Sequence, residues 1–81
     1  MLGPQLCELL AAGARYGDAG HQVGATTREV AAYRRRDPAF AARLDAALIE
    51  GRDPDVAHGT SVGWGTGCRC PDCREHHETY R

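Results

Sequence analysis

Residues 26–51 read TTREVAAYRRRDPAFAARLDAALIEG, and this stretch predicts two consecutive helices. Its first residues, 26–29, match a capping box, in which a threonine hydroxyl accepts a hydrogen bond from a later backbone N–H and a glutamate reaches back to the cap. A helix therefore begins there and is expected to continue through Arg36. The Asp-Pro pair at 37–38 ends this helix and provides the N-cap and first turn of the next one.

The second of these helices is predicted over residues 38–50. Its large apolar side chains, Phe40, Leu44 and Leu48, lie four residues apart and so share one face of a helix. Gly51 follows, and we expect it to end the helix.

Two shorter helices are predicted upstream, over residues 4–14 and 16–23. The leucines at positions 6, 9 and 10 recur at the spacing of one helical face. Gly24 then provides a residue that can adopt the left-handed conformation needed to turn the chain. A mainly α-helical N-terminal domain is the fold class that this pattern predicts.

The chain is short and nearly neutral. Its 81 residues are 42% hydrophobic and carry a formal net charge of −1, which suits one small helical domain with an appendage and not an enzyme that must enclose a deep cavity. No stretch approaches the roughly 20 apolar residues that span a bilayer, and the N-terminus lacks the basic flank and apolar run of a secretion signal. We expect a non-enzymatic protein of the cytoplasm without a membrane partner.

The second and third predicted helices flank a tight turn. Residues 19–40, AGHQVGATTREVAAYRRRDPAF, resemble the helix-turn-helix of phage terminase small subunits, transposases and resolvase-type DNA-binding domains, and the match covers about residues 6–48. The resemblance implies a homeodomain-like helical domain whose third helix enters the major groove of DNA. The resemblance also implies that four side chains face the interior of this domain, namely Ala19, Ala25, Val30 and Tyr33. It implies that five others face the duplex, namely Thr27, Arg28, Ala31, Ala32 and Arg35.

The chemistry of the third helix points independently to nucleic acid. Thr27 lies at a helix N-terminus, where backbone N–H groups favour a phosphate. Arg28 is placed to bond a guanine edge, and Arg34, Arg35 and Arg36 are expected to contact phosphates. The alternative is a solvated helix end, in which the arginines offset the helix dipole by about 0.3–1 kcal/mol. Because alanines occupy the middle of the face, we expect weak or shape-dependent recognition.

The tail, residues 58–81, reads HGTSVGWGTGCRCPDCREHHETYR and cannot fold by apolar burial alone. Its sizeable apolar side chains are Val62, Trp64 and Tyr80. Ordering one residue costs about 1–2 kcal/mol, whereas burying one large apolar side chain contributes about 1.5–3 kcal/mol. A structural zinc ion contributes about 10–16 kcal/mol, so we predict a loop-rich, zinc-bound module. A linker at 52–57 is expected to join it to the helical domain, residues 1–51.

Cysteine spacing indicates the ligands of such an ion. Cys70 and Cys73 form a C-x2-C pair whose thiolates can bind one tetrahedral ion, and Cys68 lies close enough to join them. A disulfide between Cys68 and Cys70 would be strained, and no β-α-β pattern supports a thioredoxin-like redox pair. Cys7 is expected to be a small buried residue of the first helix. The fourth ligand is then one of three histidines: His58, His76 or His77.

The tail as a whole is similar to the HGTxxGYxxGCRCxxCRxAxxxY tails of many small proteins of actinobacterial phages and their hosts. The matching positions are 58–60, 63, 67–70, 73–74 and 80, with Trp64 in place of the usual tyrosine. The resemblance implies a Cys3His zinc site made of His58, Cys68, Cys70 and Cys73. Four protein ligands leave no open position for a reactive water, so the ion is expected to be structural.

Together these features predict a small DNA-binding accessory or regulatory protein of phage origin. It would act on double-stranded DNA in the cytoplasm of a bacterium or a phage-infected cell, where a transcription regulator, an excision factor and a packaging subunit would all fit. The alternative is a protein-interaction module that binds a host or phage protein through the tail and Trp64, and the net charge of −1 favours it. Salt-dependent DNA binding would distinguish the two.

Overall fold

The computed structural model describes residues 2–80, and within them the chain forms six helices and no strand. The helices are α1 Leu2–Ala11, α2 Tyr16–Gln22, α3 Thr27–Arg36, α4 Pro38–Gly51, α5 Ser61–Gly65 and α6 Pro71–Tyr80. The mainly helical fold class predicted from the sequence is confirmed. None of these helices has the length and apolar character needed to cross a membrane.

The start of α3 and the start of α4 follow from local capping, as the sequence predicts. The backbone N–H of Glu29 donates to Thr26 Oγ1 at 3.1 Å, and the N–H of Thr26 donates to Glu29 Oε1 at 3.1 Å. The capping box is therefore complete. Asp37 Oδ1 accepts from the N–H of Phe40 at 3.1 Å, and Pro38 occupies the first turn of α4.

Several predicted boundaries differ from the structure: α1 begins at Leu2 and not at residue 4, α2 ends at Gln22 and not at residue 23, and α4 includes Gly51. α1 ends at Ala11 and not at residue 14, because the chain turns at Gly13, whose φ of 98° suits glycine. The tail, predicted to be loop-rich, contains α5 and the ten-residue α6. Apolar periodicity does not reveal α6, because this helix, which begins with Pro71, is polar.

The core forms where α1 packs against α4. Gly3 lies against Phe40, since a Cβ on the glycine would be 3.1 Å from the ring. At the other end of both helices, a Cβ on Gly51 would lie 1.8 Å from the carbonyl oxygen of Leu10. The two helices therefore run side by side in the same direction, and α4 ends this close to α1 because Gly51 has no side chain. The largest fully buried apolar side chains of the helices are Leu6, Leu10, Val30, Phe40 and Leu44.

The C-terminal segment shares this core. Cys70 and Cys73, both 0% exposed, belong to the same buried cluster as the leucines of α1 and α4. Asp45 of α4 also pairs with Arg34 of α3 at 2.9 Å and with Arg74 of α6 at 3.3 Å. The division of the chain into a helical domain, a linker and a tail stays a prediction.

Candidate metal centre

The structure brings together the four residues that the tail resemblance implies as ligands. His58 Nδ1 lies 3.3 Å from Cys68 Sγ, 3.6 Å from Cys70 Sγ and 3.5 Å from Cys73 Sγ. All four candidate ligand atoms lie within 4.8 Å of one another. One imidazole and three thiols therefore converge on a single point, although up to fifteen residues separate them along the chain.

These distances fit a tetrahedral metal ion. Bonds of about 2.3 Å to sulfur and about 2.0–2.1 Å to nitrogen, at the tetrahedral angle, separate the nitrogen from each sulfur by about 3.5–3.6 Å. The observed separations of 3.3, 3.6 and 3.5 Å are close to this value. The donor atoms are thus already spaced as the vertices of a coordination sphere, so this cluster could hold a metal ion.

The ring of His58 is oriented for this role by the chain before it. Its Nε2 lies 2.7 Å from the backbone carbonyl oxygen of Asp53. A carbonyl oxygen can only accept, so Nε2 carries the proton and Nδ1 presents its lone pair to the sulfurs. Histidine ligands of metal ions commonly make such a contact through the second ring nitrogen, which fixes both the tautomer and the ring plane.

The first turn of α6 positions two of the thiols. Cys70 directly precedes this helix, and its carbonyl accepts from the N–H of Arg74 at 3.0 Å, while Cys73 lies within the first turn. Backbone N–H groups at a helix N-terminus stabilise thiolates. The guanidinium of Arg52 adds a contact, because its Nη1 lies 3.5 Å from Cys70 Sγ and 2.7 Å from Asp72 Oδ2.

These contacts give the thiols of Cys68 and Cys70 different pKa values. Burial raises the pKa of the Cys70 thiol, but hydrogen bonds from the backbone N–H of Cys73 and from Arg52 outweigh burial and lower this pKa to about 7. Burial instead dominates at Cys68 and raises the pKa of its thiol to about 12. Cys70 is therefore the first of the two to become a thiolate, which is the form that binds metal.

Three features of the loop before α6 set its path around the cluster. Gly59, with φ of 78°, turns the chain directly after His58. Thr60 caps α5 by accepting from the N–H of Gly63 at 3.3 Å. Gly63 itself lies so close to the ligands that a Cβ there would be 2.7 Å from the carbonyl oxygen of Ala57 and 2.8 Å from Cys73 Sγ. The turn at Gly59, the cap at Thr60 and the missing side chain at Gly63 thus allow the chain to pass close to the four candidate ligands.

The other two histidines considered as ligands have different contacts. The ring of His77 stacks on Trp64, with centroids 3.8 Å apart and an interplanar angle of 7°. His76 Nε2 lies 3.3 Å from Ser61 Oγ. Among residues 2–80, neither histidine belongs to the group that could hold a metal ion. Trp64 also contacts the guanidinium of Arg69, whose central carbon lies 3.6 Å from the ring centroid.

The predicted DNA-binding residues lie on α3 in two different environments. Four of them are exposed there, namely Thr27, Arg28, Arg35 and Arg36. Arg34 is half-buried instead, and its Nη2 donates to both oxygens of Asp45 at 3.1 and 2.9 Å. The arginine run is therefore not one continuous solvated surface. Its first member is engaged with α4.

Sequence reasoning missed two contributors to the candidate metal centre, namely Arg52 and Asp53, and gave Gly63 only as a match to the tail pattern. The first two act through contacts that chain spacing does not disclose, and Gly63 acts through a close approach between α5 and α6. Glycine in a short capped segment was the one available signal of such an approach.

No family model, no curated protein and no solved structure matches this chain.

Proposed function

We propose that this protein binds double-stranded DNA through α3, and that one zinc ion held by His58, Cys68, Cys70 and Cys73 fastens its C-terminal segment. The protein would be a small DNA-binding accessory or regulatory factor, with α2 and α3 acting as a helix-turn-helix. The exposed face of α3 is the observation that carries the DNA part of the proposal.

Two exposed arginines of α3 are spaced to follow a duplex. Arg28 and Arg35 are seven residues apart, which is close to two helical turns and about 10 Å along the axis. Between them, Ala31 and Ala32 are small and half-buried, so no large side chain stands between the two arginines. Glu29, the acidic residue of the helix, is held in the capping box. This face is therefore basic and free of large obstructing side chains.

The turn before α3 supports the same proposal. Gly24 has a φ of 76°, and the N–H of Ala25 donates to the carbonyl oxygen of Gly20 at 2.8 Å. A Cβ on Gly20 would lie 2.9 Å from the carbonyl oxygen of Ala25. α2 and the turn are thus in close contact, as a helix-turn-helix requires for presenting its second helix.

The roles of the side chains follow from their positions on α3. Arg28, near the N-terminus of the helix, would read a base edge, with guanine as the preferred target. Arg35 and Arg36 would contact phosphates, and Thr27 would lie near a phosphate at the helix N-terminus. Such contacts suit a transcription regulator, an excision factor or a packaging subunit of a phage.

Zinc is the ion that best suits the cluster. Three thiolates and one imidazole in a tetrahedral arrangement are typical of structural zinc sites. With all four positions occupied by protein, the ion would have a structural role, because no position is left for an activated water. The ion would only hold together the residues around α5 and the start of α6.

Fluorescence anisotropy with a labelled duplex tests the DNA part of the proposal. The double variant Arg28→Ala/Arg35→Ala is expected to bind more weakly and to lower the slope of log K against log salt by about 0.9, since Arg35 is the proposed phosphate contact of this pair and each phosphate contact contributes about 0.9. The matched control is Arg15→Ala/Arg43→Ala, which removes two exposed arginines outside α3. The control is expected to retain more of the affinity and of the slope.

Two results would contradict DNA binding through α3. One is the absence of binding by the unchanged protein at about 50 mM salt, where phosphate contacts are strong; this result would favour a protein partner. The other is an equal loss in the control variant, which would indicate attraction by overall charge and not by α3.

A further inference from the structure

Asp45 of α4 lies between arginines that come from two other helices. Arg34 Nη2 of α3 donates to its Oδ2 at 2.9 Å and to its Oδ1 at 3.1 Å. Arg74 Nη1 of α6 donates to Oδ1 at 3.3 Å. The three side chains are only 25–28% exposed, so the carboxylate forms a partly buried bridge between α3 and α6.

The α6 side of this bridge is tied to the metal centre. Arg74 directly follows the candidate ligand Cys73, and its backbone N–H donates to the carbonyl oxygen of Cys70 at 3.0 Å. The base of the Arg74 side chain is thus fixed by the same first helical turn that presents two thiols. Any change in the position of this turn displaces the guanidinium relative to Asp45.

The other side of the bridge is tied to the exposed arginines of α3. Arg34 directly precedes Arg35, and its Nε is buried without a hydrogen-bond partner among residues 2–80. A buried unpaired donor is unfavourable, and the guanidinium of Arg34 instead makes its hydrogen bonds through Nη2 to Asp45. The adjacent Tyr33 contacts Phe40 of α4 edge-on, with ring centroids 4.7 Å apart. Val30 of α3 is also fully buried in the core, so α3 is held by apolar packing together with this charged contact.

We infer that Asp45 is a positioning residue that couples the metal centre to α3, through Arg74 on one side and Arg34 on the other. Arg34 then belongs to this bridge and does not contact DNA. If α3 binds DNA as proposed, the orientation of Arg28 and Arg35 toward the duplex depends on the order of the C-terminal segment. The consequence for DNA binding therefore rests on the proposed function. Contacting charged residues of this kind couple by an amount that corresponds to about two- to tenfold in an equilibrium.

The test uses zinc-loaded protein and cuts the bridge without touching a ligand. Arg74→Gln, Asp45→Asn and the double variant are compared with the unchanged protein, after elemental analysis has shown one zinc per chain in each. Hydrogen exchange of the backbone amides of α3, measured by NMR without DNA, reports the first effect. Anisotropy with a labelled duplex reports the second. Arg43→Gln and Glu50→Gln are matched controls, since both side chains are exposed on α4.

We expect Arg74→Gln to speed exchange of the α3 amides by about two- to tenfold and to weaken DNA binding by a similar factor, although the substitution lies on α6. In the Asp45→Asn background, the same substitution is expected to have less than about a twofold further effect, because the bridge is already cut. Arg74→Lys keeps a donor for Asp45 and is expected to restore most of the protection, which loss of side-chain volume alone would not predict.

Unchanged exchange of α3 in Arg74→Gln would overturn the inference, as would an effect that persists in full when Asp45 is already asparagine. If α3 responds as expected but the protein binds no DNA, the coupling stands and the proposed function fails. If the protein binds DNA through Arg28 but Arg74→Gln changes neither the exchange of α3 nor the affinity for DNA, the proposed function stands and the coupling fails.

Discussion

Replacing Gly63 with alanine tests how tightly α5 packs on the metal centre. A Cβ there would lie 2.7 Å from the carbonyl oxygen of Ala57 and 2.8 Å from Cys73 Sγ, whereas ordinary contacts of a Cβ fall between 3.4 and 4 Å. Neither neighbour can move freely, because Ala57 precedes the candidate ligand His58 and Cys73 is itself a candidate ligand. Gly65 lies in the same helix and has no atom within 4 Å of such a Cβ, so Gly65→Ala is a matched control.

We expect Gly63→Ala to have a free energy of unfolding about 1–3 kcal/mol lower than that of Gly65→Ala in the zinc-loaded protein, which is the usual cost of forcing a methyl group into a packed site. Both variants gain the helix propensity of alanine over glycine, about 1 kcal/mol, so the difference between them reports the contact. In a domain of this size the difference corresponds to roughly 5–20 °C in Tm. Displacement of Cys73 is also expected to weaken zinc binding about tenfold or more.

Thermal melting followed by circular dichroism, with one equivalent of zinc, measures the stability difference, and competition with a chelator measures zinc affinity. The two variants would have to be prepared with equal zinc content. Melting temperatures that agree within about 2 °C, together with equal zinc affinities, would refute the reasoning from the close approach of α5 to its ligands.

Three further predictions concern the ion, the fourth ligand and the core. Removing the metal with a strong chelator is expected to lower the helix signal in circular dichroism by the share of α5 and α6, which are 5 and 10 residues long, while α1–α4 persist; an unchanged spectrum in protein shown to be metal-free would contradict this. His58→Ala is expected to weaken zinc binding more than about 100-fold, whereas His77→Ala stays within about threefold in the same chelator competition; equal losses would contradict the assignment of the ligand. Gly51→Ala places a methyl group 1.8 Å from the Leu10 carbonyl oxygen and is expected to cost about 3 kcal/mol or more in urea unfolding, whereas Gly17→Ala, which meets nothing within 4 Å, is expected to be neutral or stabilising.

The helices that sequence alone locates best are those with a local stop or start signal. The capping box at residues 26–29 and the Asp-Pro pair at 37–38 act within one turn of the chain, so their hydrogen bonds depend on nothing distant. α6 has Pro71 in its first turn but no apolar periodicity along its length. Its packing is tertiary, because Cys73 is buried in the core and His77 stacks on Trp64.

The same distinction applies to the candidate site. Spacing identifies Cys68, Cys70 and Cys73, because ligands so close in the chain can reach one ion without help from the rest of the fold. Spacing leaves the histidine undecided. The structure brings His58 to the cluster through the turn at Gly59 and the contact with Asp53. The bridge at Asp45 joins three helices, so no local pattern could indicate it.

All four candidate ligands lie within residues 58–73 and follow α1–α4 along the chain. During synthesis on the ribosome, α1–α4 therefore emerge before the last thiol does, and closing the site needs only short loops. We expect the nascent chain to capture its ion late and quickly, on a helical platform that is already assembled. Availability of metal in the cell would then affect the folding of the segment after α4 and not that of α1–α4.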